Sequence, residues 1–165
     1  MARHSLLISA IALGSVLTFP MIAKAENPAD VFFNGTITQS CEFENVVDGT
    51  LGLVTSDTLS SVAVGTPGSA DLACNTLLAS VTMDAPVVET APNDYDDTAA
   101  VKTATLVGGS INLTLNAGET QVSVPSAAVT LAPLPLVVNM TATTPGEALP
   151  AGDYTYYVRL SATPL

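Results

Sequence analysis

The chain has 165 residues, 4 basic against 15 acidic side chains and one histidine, for a formal charge of −11. Such a surface repels nucleic-acid phosphates and anionic lipid headgroups, so neither is an expected partner. Every acidic residue lies at or beyond Glu26, whereas Arg3, Lys24 and His4 lie before it.

In chain order, the first element is an expected secretory signal over residues 1–25. It has a basic start (Met1-Ala-Arg3-His4), an apolar run from Ser5 to Ile22 and a small-x-small cleavage site at Ala23-Lys24-Ala25. Export would remove half of the basic residues and the histidine. The chain left behind, 26–165, is the size of one domain, and no later stretch is apolar enough to enter a bilayer as a helix. Cys41 and Cys74 are an even pair in an exported chain, which reads as one disulfide.

The remainder reads as all-β. Thr, Val, Ala, Ser and Gly dominate, and long straight-chain helix formers are scarce. Short strands are predicted over Val31–Thr38, Thr50–Val54, Ser61–Val64, Ala70–Cys74, Leu78–Met83, Ala104–Val107, Ile111–Leu115, Gln121–Val124, Val129–Leu131, Leu136–Thr143 and Tyr154–Ala162, separated by Gly, Pro and Asn turns. This spacing in one domain predicts an antiparallel β-sandwich. The last strand is the most regular. Tyr154, Tyr156, Val158, Leu160 and Ala162 share one parity, against mostly polar residues on the other. An apolar strand with a free edge invites another chain to pair with it.

Catalytic chemistry is not expected. Without histidine, the exported chain lacks the usual base for a Ser or Cys nucleophile. Lys102 has no marked serine partner, and the carboxylates lie mostly in turns, without tryptophan for sugar stacking. Asn93-Asp-Tyr-Asp-Asp97 supplies calcium-type oxygen ligands but lacks the glycine and bidentate Glu of an EF-hand, so it reads as a solvated acidic loop. Asn34, Asn112 and Asn139 fit the N-glycosylation pattern, which has meaning only in a eukaryotic secretory pathway. No cofactor and no metal are expected.

Val31-Phe-Phe-Asn-Gly-Thr-Ile37, closely followed by Cys41, resembles the opening strand of bacterial chaperone–usher pilin (fimbrial) subunits, type 1 pilin-like or spore-coat-U-like. Gly68-Ser-Ala-Asp-Leu-Ala-Cys74-Asn75 is similar to the surroundings of that family's second cysteine. Pro150-Ala-Gly152-Asp-Tyr154 is similar to the Ala-Gly-x-Tyr that opens the last strand of spore-coat-U-like and archaic pilins. Gly152 stands fourteenth from Leu165, where many pilins carry glycine. Pro164 departs from the aromatic residue often found next to last, and the tryptophan-containing segment common in spore-coat-U-like chains is missing.

The resemblance implies an immunoglobulin-like sandwich that lacks its final strand. A periplasmic chaperone would fill the gap, an outer-membrane usher would assemble the fibre, and other pilin subunits would each donate a strand. It implies a Cys41–Cys74 disulfide and a donor or first strand carrying Val31, Phe33, Gly35 and Ile37. It also implies an acceptor groove lined by Gly152, Tyr154, Tyr156, Val158 and Leu160, with the Leu165 carboxylate held by chaperone basic residues. The protein would pass through the periplasm to a fimbrium at the cell surface, or be secreted. The alternative is a self-complete, non-enzymatic β-sandwich binding module for a carbohydrate or surface partner, whose last edge is covered by the chain's own Val31–Thr38.

Overall fold

A computed structural model describes residues 32–165; the expected signal over 1–25 and the donor candidate Val31 lie outside the described residues. Ile37–Leu165 form one compact body. The body is all-β. Its strands in chain order are β1 (Cys41–Val47), β2 (Gly52–Thr55), β3 (Thr58–Ser60), β4 (Gly68–Cys74), β5 (Leu78–Asp84) and β6 (Val87–Thr90). They continue with β7 (Val101–Gly108), β8 (Ile111–Leu115), β9 (Gln121–Ala128), β10 (Leu134–Thr143), β11 (Thr155–Tyr157) and β12 (Leu160–Pro164).

Every pairing is antiparallel, and the short turns joining β2 to β3 and β7 to β8 require it there. The larger sheet is organised by β10. One edge of β10 pairs with β4 over its first half and with β3 over its second, while the opposite edge pairs with β7. β1 extends β4, β2 extends β3 and β8 extends β7. The second layer has the order β12-β5-β9, with the short pair β11-β6 beyond it.

Period-2 alternation builds the core between these layers. In β5, Ala79, Val81 and Met83 are buried; in β8, Ile111, Leu113 and Leu115 are. They meet Leu72 of β4, Leu106 of β7 and Leu136 of β10 in one apolar cluster. The polar residues between them face the other way, so a one-residue slip of register would bury Thr82 and expose Val81.

The differences from the sequence reading have local causes. Ser61–Val64 is a turn, because the Ser61 side chain takes over the next position on β10. Its hydroxyl accepts from the Met140 amide at 2.9 Å, and its own amide donates to the Met140 carbonyl at 3.0 Å. Gly65 then lets the chain return beside Thr50, where an added Cβ would stand 1.9 Å from the Thr50 carbonyl oxygen. Val129–Leu131 forms no strand, whereas β9 runs through Pro125 to Ala128. The register shift against β5 between Ala79 and Val81 places Pro125 in a bulge on an edge strand, where its missing amide costs no ladder bond. β1, β3 and β6 are strands that the periodicity did not mark.

Two corrections concern the ends of the domain. Residues 32–40 carry no strand, so the first strand is Cys41–Val47 rather than Val31–Thr38. The closing strand is two pieces, β11 and β12, with Val158 and Arg159 between them. Its neighbour is interrupted by the buried Pro86, which has no amide to donate, so the ladder breaks between Tyr157–Val87 and Leu160–Met83.

Candidate functional site

β1 pairs only with β4, and β12 pairs only with β5. Each therefore has a second edge without a strand partner among the described residues. Beyond the point where the two strands meet, a cleft of about 730 Å³ opens between the end of β1 with the 48–51 loop and the segment Tyr154–Leu160. Val46, Val47 and Ala70 form one wall, Val138 and Met140 belong to the larger sheet at its base, and Tyr156, Val158 and Leu160 form the other wall. Tyr156, Val158 and Leu160 reach the core cluster yet remain half-buried.

The alternation expected for the closing segment holds residue by residue. Tyr154, Tyr156, Val158, Leu160 and Ala162 are half-buried, and Thr155, Tyr157, Arg159, Ser161 and Thr163 are exposed. Gly152 does not line the cleft; it adopts φ +154° against Pro92, whose Cγ an added Cβ would approach to 2.7 Å. That contact seats the 91–100 loop on the segment entering β11.

The loop is fixed to the cleft wall by tyrosines. The Tyr95 hydroxyl is 2.5 Å from that of Tyr156, and its ring meets Tyr154 edge-on at 5.1 Å. Tyr154 in turn donates to the Pro150 carbonyl at 2.7 Å. Burial, then the hydrogen bond to Tyr95, pushes the Tyr156 hydroxyl well above its ordinary pKa of 10.0. The sign follows: above pH 10 the unfolded chain loses this proton while the folded chain keeps it, so folding weakens as pH rises. The wild-type protein should lose stability at up to about 1.4 kcal/mol per pH unit faster than Tyr156→Phe above pH ~10, read from urea midpoints. Equal slopes for the two proteins would refute this assignment.

Part of the acidic loop is paired internally, although the buried Oδ1 of Asp97 has no hydrogen-bond partner. Asp96 accepts from the Thr98 amide and hydroxyl, and Asp97 pairs with Lys102 at 2.6 Å. Lys102, for which the sequence marks no serine partner, is thereby engaged in an ion pair. Among the described residues no group of three or more His, Cys, Asp or Glu could hold a metal ion.

At the opposite end of β1 and β12 the edges are stitched together. Cys41 and Cys74 face each other across β1 and β4 and form the disulfide expected from the sequence. The Leu165 main-chain amide donates to the Leu78 carbonyl, and the Leu165 carbonyl accepts from the Thr76 hydroxyl at 3.0 Å and from the Gln39 side-chain Nε2 at 3.3 Å. Asn75 holds the residues that precede β1. Its side chain accepts from the Ser40 amide and donates to the Thr38 carbonyl, each at 2.8 Å, and its own amide donates to the Ser40 carbonyl at 3.1 Å. Sequence reasoning missed this corner, because an Asn after a cysteine has many ordinary uses in a turn.

Among the described residues, the donor candidates Phe33, Gly35 and Ile37 do not line the cleft. Phe33 is 92% and Ile37 88% exposed, and a Cβ at Gly35 would meet nothing within 4 Å. A disulfide fits an oxidising compartment, and among the described residues no helix is long and apolar enough to cross a membrane. Comparison with protein-family models, curated proteins and solved structures finds no match to this chain.

Proposed function

We propose that this chain is a structural, non-enzymatic subunit of a bacterial cell-surface fimbria, built on an immunoglobulin-like sandwich that lacks its final strand. It would be exported through its signal segment, held by a periplasmic chaperone, and polymerised at an outer-membrane usher by donor-strand complementation. The observation that carries this reading is the cleft between the end of β1 and the segment from β11 to Leu160, where β1 and β11 each have a second edge without a strand partner among the described residues. Edges without a strand partner can hydrogen-bond an inserted strand, and Tyr156, Val158 and Leu160 on one wall are only half-buried. Filling the cleft with about five apolar side chains at ~1.5–3 kcal/mol each would contribute on the order of 10 kcal/mol before ordering costs.

The donor in this reading is the segment around Phe33, Gly35 and Ile37 of a neighbouring copy, with Val31 one step further along. A self-complete binding module calls for the same segment paired along its own last edge. The described part of it, 32–38, forms no strand, which favours the fibre subunit.

Light scattering on the exported chain, residues 26–165, tests the reading. The chain should associate in a concentration-dependent way, and the double variant Phe33→Asp, Ile37→Asp should be monomeric. A wild-type monomer with a cooperative, concentration-independent melt would refute the fibre subunit.

A further inference from the structure

We propose that Asn34–Gly35 is a site of spontaneous deamidation, and that the rearranged main chain it leaves withdraws an unpaired copy's apolar segment from strand exchange. The withdrawal rests on the fibre-subunit reading; the chemistry at the site does not. Asparagine side-chain amides are among the thermolabile groups of a protein, and the residue that follows sets how readily they react. No other asparagine in the chain is followed by glycine. Asn34 and Gly35 are exposed and belong to no strand, and a Cβ at Gly35 would meet nothing within 4 Å. Glycine has the widest main-chain freedom and no side chain to shield its nitrogen, so that nitrogen can reach the Asn34 side-chain carbonyl. A bond forms from the Gly35 nitrogen to Cγ of Asn34, the Cγ–Nδ2 bond breaks, and Nδ2 leaves as ammonia with the Gly35 amide proton. Water then opens the cyclic imide. Opening at the main-chain carbonyl leaves an isoaspartyl linkage, and opening at Cγ leaves an ordinary aspartyl residue.

Several asparagines of the body are held instead. Asn75 is bonded through both its side-chain oxygen and nitrogen, Asn45 donates to Asp71 at 2.9 Å, Asn116 donates to Glu119, and Asn112 sits in the β7–β8 ladder. The two products at position 34 differ in what they do to a strand. An isoaspartyl linkage routes the main chain through Cβ and adds a methylene to it. Alternation then fails, and Val31 and Phe33 no longer share a face with Ile37. Asn34 has the opposite parity to these residues, so the carboxylate of an aspartyl product stays off the apolar face. Insertion also protects the site, because a ladder holds the main chain extended and engages the amide whose proton must leave. The reaction therefore falls on copies whose segment is still free.

The test incubates the exported chain, residues 26–165, at mildly alkaline pH and follows it by peptide mapping with isoaspartyl methyltransferase labelling. Conversion at position 34 should run at least about tenfold faster than at Asn112, which reacts only when its strand opens. Gly35→Ala should slow it severalfold. Conversion no faster than at Asn112, or indifferent to Gly35→Ala, overturns the site. Associated wild-type chains should convert more slowly than the same chains held dilute, and equal rates overturn the protection. A peptide of residues 29–39 with an isoaspartyl linkage at position 34 should leave the melting temperature of the Phe33→Asp, Ile37→Asp chain unchanged. The unmodified peptide and its Asn34→Asp form should both raise it. A shift from the isoaspartyl peptide, or none from the Asn34→Asp form beside a shift from the unmodified one, overturns the withdrawal. A wild-type chain that does not associate, with no shift from the unmodified peptide, overturns the fibre reading and the withdrawal with it, while conversion at position 34 is still read by mapping.

Discussion

A peptide of residues 29–39 in excess over the Phe33→Asp, Ile37→Asp chain should raise its melting temperature by roughly 10 °C. A ligand at about 100 times its Kd stabilises a fold by ~2.7 kcal/mol, and a domain of this size gains a few degrees per kcal/mol. The stabilisation has a specific structural source. Tyr156, Val158 and Leu160 touch the core while half-exposed, and the second edges of β1 and β11, which flank the cleft, have no strand partner among the described residues. A peptide carrying Asp at positions 33 and 37 should give no shift, because a carboxylate entering an apolar cleft loses its hydration without a cationic partner on the walls. Leu160→Asp in the receiving chain should abolish the response from the other side of the contact. Equal shifts from both peptides would show that the effect is not insertion between these edges.

The second large effect is expected from the disulfide. Replacing Cys41 and Cys74 together by serine should destabilise the domain by roughly 3–4 kcal/mol, from the entropy of an unfolded chain no longer closed over the 33-residue separation. Because Cys41 opens β1 and Cys74 closes β4, the loss should spread to the stitched corner. Amide exchange at Ser40 and Asn75 should accelerate more than exchange at Leu113, deep in the core. Denaturant unfolding of the double variant measures the global term, and residue-resolved exchange measures its distribution. A loss below ~1 kcal/mol would mean that the hydrogen bonds around Asn75 hold the corner without the covalent link.

The all-β class was legible because its signal is repeated. Ile111-Asn-Leu-Thr-Leu115 alternates in the sequence as it does in burial, and the same is true of Leu78–Met83 and of the closing segment. β1 was hidden because its outward residues, Glu42 and Glu44, share a short run with Asn45, and its inner side chains are only half-covered. β6 was hidden inside an acidic stretch. Ser61–Val64 misled because three small or branched apolar residues look like a strand, whereas a serine hydroxyl had already taken the ladder position. Half of the cleft was readable from the parity of Tyr154 to Leu160. The other half, Val46, Val47 and Ala70, comes from elements whose adjacency depends on topology and leaves no local pattern.

The broken ladder beside Pro86 has an outcome for the opposite side of the same strands. The extra residues at both irregularities, Glu89 and one of Asp84–Pro86, belong to the inner neighbour, so the stretch from Tyr154 to Ala162 keeps one phase throughout. Natural sheets usually blunt an outer rim with kinks or charges, yet here Arg159 is the only ionic side chain before Pro164. An unoccupied copy at high concentration thus presents an apolar template of the kind that seeds cross-β stacking. The same regularity that suits a correct insertion makes amyloid-like aggregation the characteristic failure of a copy left empty.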